Sequence, residues 1–164
     1  ATDRINRKSQ SSFILYLGLG PIEWKSSQQR QTALSTAEAE LYAKVEPCKA
    51  IVWLRTLLAE TRIPELITKY VSTLFGDNTA ADAIAERHGT TEKSKHYGIK
   101  ASFVQDMVAA GVVVQEHVDT KLNVADLGTK VVTKRVSADL RETAMGREAI
   151  LMPTKRVKTV VSEE

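Results

Sequence analysis

Four carboxylates stand where helices begin or strands end, and their positions suggest metal chemistry. Glu38 and Glu40 lie two residues apart in ALSTAEAELYA, Asp77 directly follows the apolar run TLFG, and Asp126 lies within NVADLGTK. Carboxylate oxygens are the protein ligands that Mg²⁺ prefers. Two such ions about 4 Å apart can activate a water molecule and stabilise the leaving oxygen in phosphodiester cleavage. Such a site needs several of these side chains at one sheet edge, so the elements that carry them decide whether it forms.

The two glutamates lie near the start of a predicted helix and have different roles. Ser35 followed three residues later by Glu38 is a capping-box pattern. In it, the serine accepts from the amide of residue 38 and Glu38 reaches back to the amide of residue 35. At about 100° per residue, positions 38 and 40 point about 200° apart and cannot serve one site. Glu38 therefore caps the helix, whereas Glu40 either pairs with Lys44 at i,i+4 or belongs to a site.

Asp77 and Asp126 each have a local explanation as well. Asp77 ends a predicted strand, and ligands bind at the carboxyl ends of strands in open α/β sheets. Alternatively, Asp77 and Asn78 cap a helix that begins at Thr79. Asp126 lies in the first turn of another predicted helix, where the helix dipole favours an acid. The residues alone leave these alternatives open.

Hydrophobic periodicity predicts an α/β protein with an antiparallel hairpin followed by crossover connections. Strands are predicted at residues 12–19, at 22–25 with 31–34 as the hairpin partner, at 69–75 and at 112–118. Helices are predicted at residues 36–59, 79–87, 96–110, 124–130 and 137–145. Pro47 is expected to kink the long helix or divide it, because proline removes a backbone donor and clashes with the preceding turn. Residues 1–145 are predicted to form one domain and residues 146–164 a loose tail.

The long helix carries a core-facing stripe. Its apolar positions recur at spacings of three and four residues: Ala37, Leu41, Val45, Cys48 and Val52. Trp24 and Trp53 each lie inside an apolar element and are expected in the core. Cys48, the single cysteine, is expected to be a buried and unreactive thiol.

The composition excludes several classes of protein. The chain has 164 residues, of which 43% are hydrophobic and 26% charged, as in ordinary globular domains. An apolar run long enough to span a membrane and a signal peptide are both lacking, which predicts an intracellular protein without membrane contact. One cysteine excludes an internal disulfide. Since the net charge is only +3, any nucleic-acid site must be a local patch.

A basic segment after Asp77 provides such a patch. Nucleic-acid contacts are predicted for Asn78, Arg87, Lys93, Lys95, His96 and Lys100. Cationic side chains beside a cleft bind phosphates without base preference. The alternative is a solvated loop. Zinc is not expected, because the cysteine and the histidines show no ligand spacing.

Four segments follow one another along about residues 1–145. They are RKSQSSFILYLGLGPIEWKSSQQRQTALSTAEAELYA, FGDNTAADAIA, KSKHYGIKASFVQD and VDTKLNVADLGTK. In this order they resemble the ribonuclease H domain of copia-type LTR retrotransposon polyproteins. The resemblance implies a ribonuclease H fold, which is a five-stranded mixed sheet flanked by helices. It also implies Mg²⁺-dependent hydrolysis of the RNA strand of an RNA–DNA hybrid during reverse transcription.

The resemblance further implies the parts of the site. Carried over residue by residue, it makes Glu40, Asp77 and Asp126 the catalytic residues and the ligands of two Mg²⁺ ions, for which Mn²⁺ can substitute. The reverse transcriptase domain of the same polyprotein is the implied protein partner. His117 is left out, because the family's histidine lies in the loop before the last aspartate and VDTKLNVAD has none there.

One departure from the family predicts impaired activity. The family's first metal-binding aspartate lies on a central strand that aligns just before Ala1, so this strand is expected to be missing from this chain. The alternative to a nuclease is a non-catalytic remnant that binds nucleic acid or another polyprotein domain. A transposase or integrase core shares the fold and the metal chemistry, but the AD-x-x-TK ending argues against it. Either remnant or nuclease is expected in a cytoplasmic virus-like particle or the nucleus.

Overall fold

The computed structural model describes residues 8–18, 20–61, 71–86 and 98–145. Within these ranges the strands are β1 (Gln10–Leu17), β2 (Gly20–Gln28), β3 (Ser72–Gly76) and β4 (Val113–His117). The α-helices are α1 (Thr36–Ala59), α2 (Thr79–Glu86), α3 (Gly98–Ala109) and α4 (Lys134–Ala144). Two 3₁₀ turns, Thr120–Leu122 and Val124–Gly128, lie between β4 and α4. The fold is therefore mixed α/β, as predicted, while the predicted tail at 146–164 lies outside the described residues.

The strands of the described ranges form two separate two-stranded sheets. β1 and β2 pair antiparallel, with Gln10 opposite Gln28 and a register shift after Leu15. β2 is one continuous strand, so the break predicted after residue 25 is wrong. β3 and β4 pair in parallel, with Ser72 opposite Val113, and helices α2 and α3 lie between them in the chain. The parallel pair places the ends of β3 and β4 side by side at the edge where Asp77 follows β3.

Helix α1 runs unbroken through Pro47, so the predicted division into two helices is wrong. Proline in a helix interior costs about 3 kcal/mol. On either side of it, however, Leu41, Cys48 and Ile51 are almost completely buried. Each buried side chain of this size contributes about 1.5–3 kcal/mol, so burial along one face outweighs the cost of the missing donor.

The core lies between α1, the β3–β4 sheet and helices α2 and α3. Its buried cluster comprises Leu41, Val45, Cys48, Ile51, Leu74, Ala85, Ala101, Val104 and Val113. The predicted stripe is thus confirmed at its centre, but Ile51 replaces Val52, which is exposed. The tryptophan predictions are wrong, because Trp24 is 71% exposed and Trp53 is 59% exposed. An apolar neighbourhood in sequence did not determine which face of β2 or α1 turned inward.

The helix after β4 is shorter than predicted. Residues 124–128 form a 3₁₀ turn and not the α-helix expected over 124–130. Helix α4 then returns to the hairpin, where the Tyr16 hydroxyl donates to the Ala144 carbonyl at 3.0 Å. In the parts of the chain that the structure describes, no helix is both long and apolar enough to cross a membrane.

Candidate active site

The start of α1 separates the roles of Glu38 and Glu40. Ser35 is the N-cap, and its hydroxyl accepts from the Glu38 amide at 3.1 Å. The Glu38 carboxylate reaches back to the amide of Leu34 at 2.7 Å, one residue earlier than the capping-box pattern predicts. Its second oxygen accepts from the Tyr42 hydroxyl at 2.6 Å, and the side chain is buried. Both Glu38 oxygens are therefore committed to the fold, although the bond predicted from Glu38 to the amide of residue 35 goes to Leu34 and the bond to Tyr42 was not predicted.

The start of α2 separates Asp77 and Asn78 in the same way. The Asn78 side-chain oxygen accepts from the Ala81 amide at 3.0 Å, and the Asn78 carbonyl accepts from the Asp82 amide at 3.1 Å. Asn78 therefore caps α2, which is a structural role that the predicted nucleic-acid contact did not include. The predicted cap of the helix that begins at Thr79 is therefore confirmed, with Asn78 as the residue that forms it. Asp77 follows directly on Gly76, the last residue of β3.

The turn that carries Asp126 has its own cap as well. Asn123 precedes it, and the Asn123 side chain accepts from the Ala125 amide at 3.2 Å. The Asp126 side chain is not needed for that cap and instead binds Thr129 and Lys130. At each of the three element starts, a neighbouring residue therefore does the capping and leaves one carboxylate for another role.

These three carboxylates are close enough to influence one another electrostatically. The pKa of Glu40 is raised, first by loss of hydration and then by the negative charges of Asp77 and Asp126. The positive charges of Lys44 and Lys130 act in the opposite direction. Glu40 as a whole is exposed, so water screens these charges. The charges of Asp77, after β3, and of Asp126, in the second 3₁₀ turn, thus act on the carboxyl group of Glu40 in α1.

Lys130 is the cation at this cluster. Its ammonium donates to the Asp126 carboxylate at 2.6 Å, and Thr129 approaches the other Asp126 oxygen at 3.4 Å. The Asp126 side chain is 13% exposed and that of Lys130 is 43% exposed. The bond to Asp126 is the main cause that raises the pKa of Lys130, and the charges of Asp77 and Glu40 add to it. Sequence reasoning missed Lys130, although its i,i+4 spacing from Asp126 was visible in ADLGTK.

The residues fit a magnesium site in ligand type and in charge. They supply carboxylate oxygens, and the negative charges of Asp77 and Asp126 add to a pKa of Glu40 that loss of hydration raises first. In the described ranges, however, no three Asp, Glu, His or Cys side chains form a ready-made metal cluster. Since Mg²⁺ commonly takes only one or two carboxylates and completes its shell with water and phosphate, the donor set suffices without a closed cage.

A buried polar network supports the strand end that carries Asp77. The Lys44 ammonium donates to Asp82 at 2.6 Å and to Gln115 at 2.7 Å, which joins α1 to α2 and β4. The predicted i,i+4 pair between Lys44 and Glu40 is therefore wrong. A Cβ atom on Gly76 would lie 2.8 Å from the Lys44 ammonium, so the residue before Asp77 must be small for this network to form.

The β1–β2 hairpin holds the turn that carries Asp126. The Ser26 hydroxyl donates to the Gly128 carbonyl at 2.6 Å, and Gln10 donates to the same hydroxyl at 2.8 Å. A Cβ atom on Gly128 would overlap the Ser12 hydroxyl. Glycine is therefore required where the turn meets the hairpin, and this close contact fixes the position of Asp126 two residues earlier.

The predicted nucleic-acid residues are only partly described. Arg87, Lys93, Lys95 and His96 lie outside the described residues. The Lys100 ammonium lies 3.5 Å from the centre of the Tyr42 ring and donates to Gln31 at 2.8 Å. Lys100 thus already has a structural role, and a phosphate contact would have to compete with that cation–π pair.

Comparison with known proteins relates most of the chain to transposon Pol polyproteins. The retrovirus-related Pol polyprotein from transposon TNT 1-94 of Nicotiana tabacum is 31% identical over 134 residues, which is 82% of this chain. Two further relatives of this chain are also transposon Pol polyproteins. Those from transposons RE2 and RE1 of Arabidopsis thaliana are 27% and 28% identical over 134 residues.

The chain corresponds to a small part of these Pol polyproteins. It spans 10% of the TNT 1-94 polyprotein and 9% of each of the other two. No family model matches the chain, and no solved structure matches it. The similarity therefore establishes a relationship to Pol polyproteins without naming the activity of the matching segment.

Proposed function

We propose that this chain is a ribonuclease H domain of a retrotransposon Pol polyprotein, which hydrolyses the RNA strand of an RNA–DNA hybrid. The proposal rests on one observation, which is that the negative charges of Asp77 and Asp126, carried by two other elements, add to the raised pKa of Glu40. Homology to Pol polyproteins supports the proposal, because the four sequence segments resemble a domain of such polyproteins.

The sheet arrangement is compatible with the proposed ribonuclease H fold. That fold implies five strands, and the described ranges contain an antiparallel pair and a parallel pair that are not joined. A further strand between them would complete one mixed sheet with β1 and β3 as its inner neighbours. Such a strand would also satisfy backbone groups at the inner edges of both pairs.

The proposed chemistry assigns a role to each carboxylate. Bound Mg²⁺ would supply Lewis-acid stabilisation of charge and an activated water. Glu40 and Asp77 would hold and orient the cation from the helix and strand sides, and Asp126 would complete the carboxylate set from its turn. The hybrid would be recognised by its backbone shape and its 2′-hydroxyls, without base readout.

The experiment is cleavage of a labelled RNA–DNA hybrid in Mg²⁺ and in chelator. We compare the unchanged chain with Asp77→Asn, and we use Asp106→Asn as the matched control because Asp106 is exposed on α3. Metal-dependent cleavage should be lost in Asp77→Asn and kept in Asp106→Asn. Double-stranded DNA of the same sequence should stay intact.

A version of the chain extended upstream completes the test. We expect it to cleave faster when the added residues supply a further aspartate to the site. Equal loss of cleavage in Asp77→Asn and Asp106→Asn would contradict the proposed site. Failure of the extended version to cleave the hybrid in either Mg²⁺ or Mn²⁺ would contradict the proposed activity.

A second candidate function is binding of the hybrid without cleavage. It is favoured by the engagement of Asp126 with Lys130 and by the lack of a ready-made three-residue metal cluster among the described residues. Hybrid binding that is equal in Mg²⁺ and in chelator, with no product, would support it. Under either function, the implied partners are the hybrid and the reverse transcriptase domain, inside the cell.

A further inference from the structure

One side of the C-terminal half of α1 is exposed although it is apolar. Val52, Trp53 and Leu57 are 37%, 59% and 44% exposed, and their spacing places them side by side on the helix. The other side of the same turns is buried at Ile51. Single exposed apolar side chains are ordinary, whereas a contiguous group of them marks an interaction surface. This side of α1 is therefore a candidate docking surface.

The polar residues on this side of α1 suit burial against another helix. Six exposed positions at spacings of three and one form what we call the α1 face: Lys49, Val52, Trp53, Thr56, Leu57 and Glu60. The Thr56 hydroxyl donates to the Val52 carbonyl at 2.9 Å, so it needs no partner outside the helix. The charged groups lie only at the two ends, with Lys49 at the start and Glu60 at the C-cap.

The α1 face complements itself when two copies run in opposite directions. In such a pair the positions meet as 49 with 60, 52 with 57 and 53 with 56. A two-fold axis produces this kind of contact, because each copy then offers the same surface to the other. The apolar side chains would pack together at the centre, and each Lys49 ammonium would meet the partner's Glu60 carboxylate. Two parallel copies would instead place like charges opposite each other, which is unfavourable.

The C-terminal end of α1 also lacks a cation that a second copy would supply. A helix is negative at this end, and Glu60 adds a further negative charge. The last turn of α1, which lies wholly within the described residues, contains no basic residue. The partner's Lys49 would arrive at this position. In its own chain Lys49 donates to Glu46 at 3.0 Å, and an ammonium with three donors can bind both carboxylates.

We propose that the α1 face is a self-association surface, on which two copies of this chain form an antiparallel helix pair with Trp53 and Thr56 at its centre. The pair buries the apolar side chains and closes two equivalent ion pairs. Since one helix face is a small contact, the dimer is weak. Glu40 lies about 20 Å from Trp53 along α1, so the start of the helix stays open. The association needs neither metal nor cleavage and is independent of the proposed function.

Sedimentation equilibrium between about 10 μM and 1 mM measures the association. The unchanged chain should be a monomer at the lowest concentration and should form dimers at the highest. Trp53→Gln should weaken the dimer at least about tenfold, because a central tryptophan commonly dominates such a contact. Trp24→Gln is the matched control, since Trp24 is also exposed but lies on β2, and it should leave the dimer unchanged. Equal melting temperatures show that both variants are folded.

Charge reversal tests the antiparallel orientation. Lys49→Glu places like charges opposite each other and should weaken the dimer by about two- to tenfold. Adding Glu60→Lys to the same chain makes the charges opposite again and should restore the affinity. Lys25→Glu is the control, because Lys25 contacts the same Glu46 but lies on β2, outside the α1 face.

Each part of the proposal has a result that overturns it. A chain that stays monomeric at about 1 mM overturns self-association, and the α1 face then suits another domain of the polyprotein. A dimer that Trp53→Gln weakens no more than Trp24→Gln does overturns the location. Failure of the double charge reversal to restore the affinity overturns the antiparallel pairing. None of these results affects the proposed nuclease, and a loss of hybrid cleavage would not affect the dimer.

Discussion

The Lys44 ammonium and the Asp82 carboxylate lie 2.6 Å apart in the interior, with side chains only 7% and 14% exposed. Their bond joins the middle of α1 to α2 directly beneath the end of β3. Gln115 on β4 accepts a second bond from the same ammonium at 2.7 Å. This network ties together three of the elements around Asp77, so its loss should affect both stability and the site.

Removing one partner of this pair should be costly. Lys44→Met leaves Asp82 buried without its cation, and removal of one buried partner costs about 3–5 kcal/mol. The double variant Lys44→Met with Asp82→Leu should recover much of that loss, because no buried charge is left. Urea unfolding measures both values. Lys49→Met, which breaks an exposed pair, is the control and should cost about 1 kcal/mol or less.

Gly128→Ala should detach the turn that carries Asp126 from the hairpin. The added Cβ would overlap the Ser12 hydroxyl, and overpacking of this kind costs about 1–3 kcal/mol. Because this overlap would push the turn and Asp126 away from the hairpin, Mg²⁺ affinity should fall along with stability. Gly20→Ala is the control, since nothing lies within 4 Å of a Cβ there. Unchanged Mg²⁺ affinity in Gly128→Ala would show that the hairpin contact does not position Asp126.

Glu38 and Glu40 should respond to substitution in opposite ways. Glu38→Ala removes the bonds to the Leu34 amide and the Tyr42 hydroxyl and should cost about 1–3 kcal/mol. Glu40→Gln should leave stability in chelator the same or raise it by about 0.5 kcal/mol, since water screens an exposed residue. Hybrid cleavage should be lost in Glu40→Gln. Thermal melts in chelator, read beside the cleavage assay, separate the two glutamates.

The gain in stability expected from Glu40→Gln should depend on pH. The pKa of Glu40 is raised in the folded state, so the folded chain binds more protons than the unfolded chain between the ordinary value of 4.5 and the raised one. The free energy of unfolding therefore falls as pH rises through that window. Glu40→Gln has no carboxyl group to titrate at this position. Its free energy of unfolding should therefore exceed that of the unchanged chain above about pH 4.5 and equal it below that pH. A difference in the free energy of unfolding that is constant with pH would contradict the raised pKa of Glu40 as its cause.

Cys48 should be unreactive in the folded chain. It is fully buried, and burial raises its pKa from 9.0 to about 11. Alkylation by iodoacetamide at pH 8 should therefore be slow in buffer and fast in urea. Since the unfolded chain loses the thiol proton first, the free energy of unfolding should fall as pH rises from about 9 to 11. Cys48→Ala should not show that fall, and fast alkylation in buffer would contradict the burial.

Local chemistry made the capping of α1 predictable from sequence. The Ser35 to Glu38 spacing acts over one helical turn, and the cap formed as expected except that Glu38 binds the amide of Leu34. The core stripe at Leu41, Val45 and Cys48 was predictable for the same reason, because helical periodicity is a local property. The predictions that failed concern which face of a strand or helix is buried. Trp24 and Trp53 are exposed, and no pattern within their own elements distinguishes the inward face.

By itself, the sequence determined the α/β class, the cap of α1 and the types of side chain that could bind a metal, because these depend on residues a few positions apart. The tertiary structure alone decided that the charges of Asp77 and Asp126 act on the carboxyl group of Glu40. It also decided that Lys44 pairs with Asp82, 38 residues along the chain, and that Asn78 caps α2 beside Asp77. These relationships depend on how α1, β3 and the β1–β2 hairpin pack, and packing is set by burial summed over the whole core, not by any single segment.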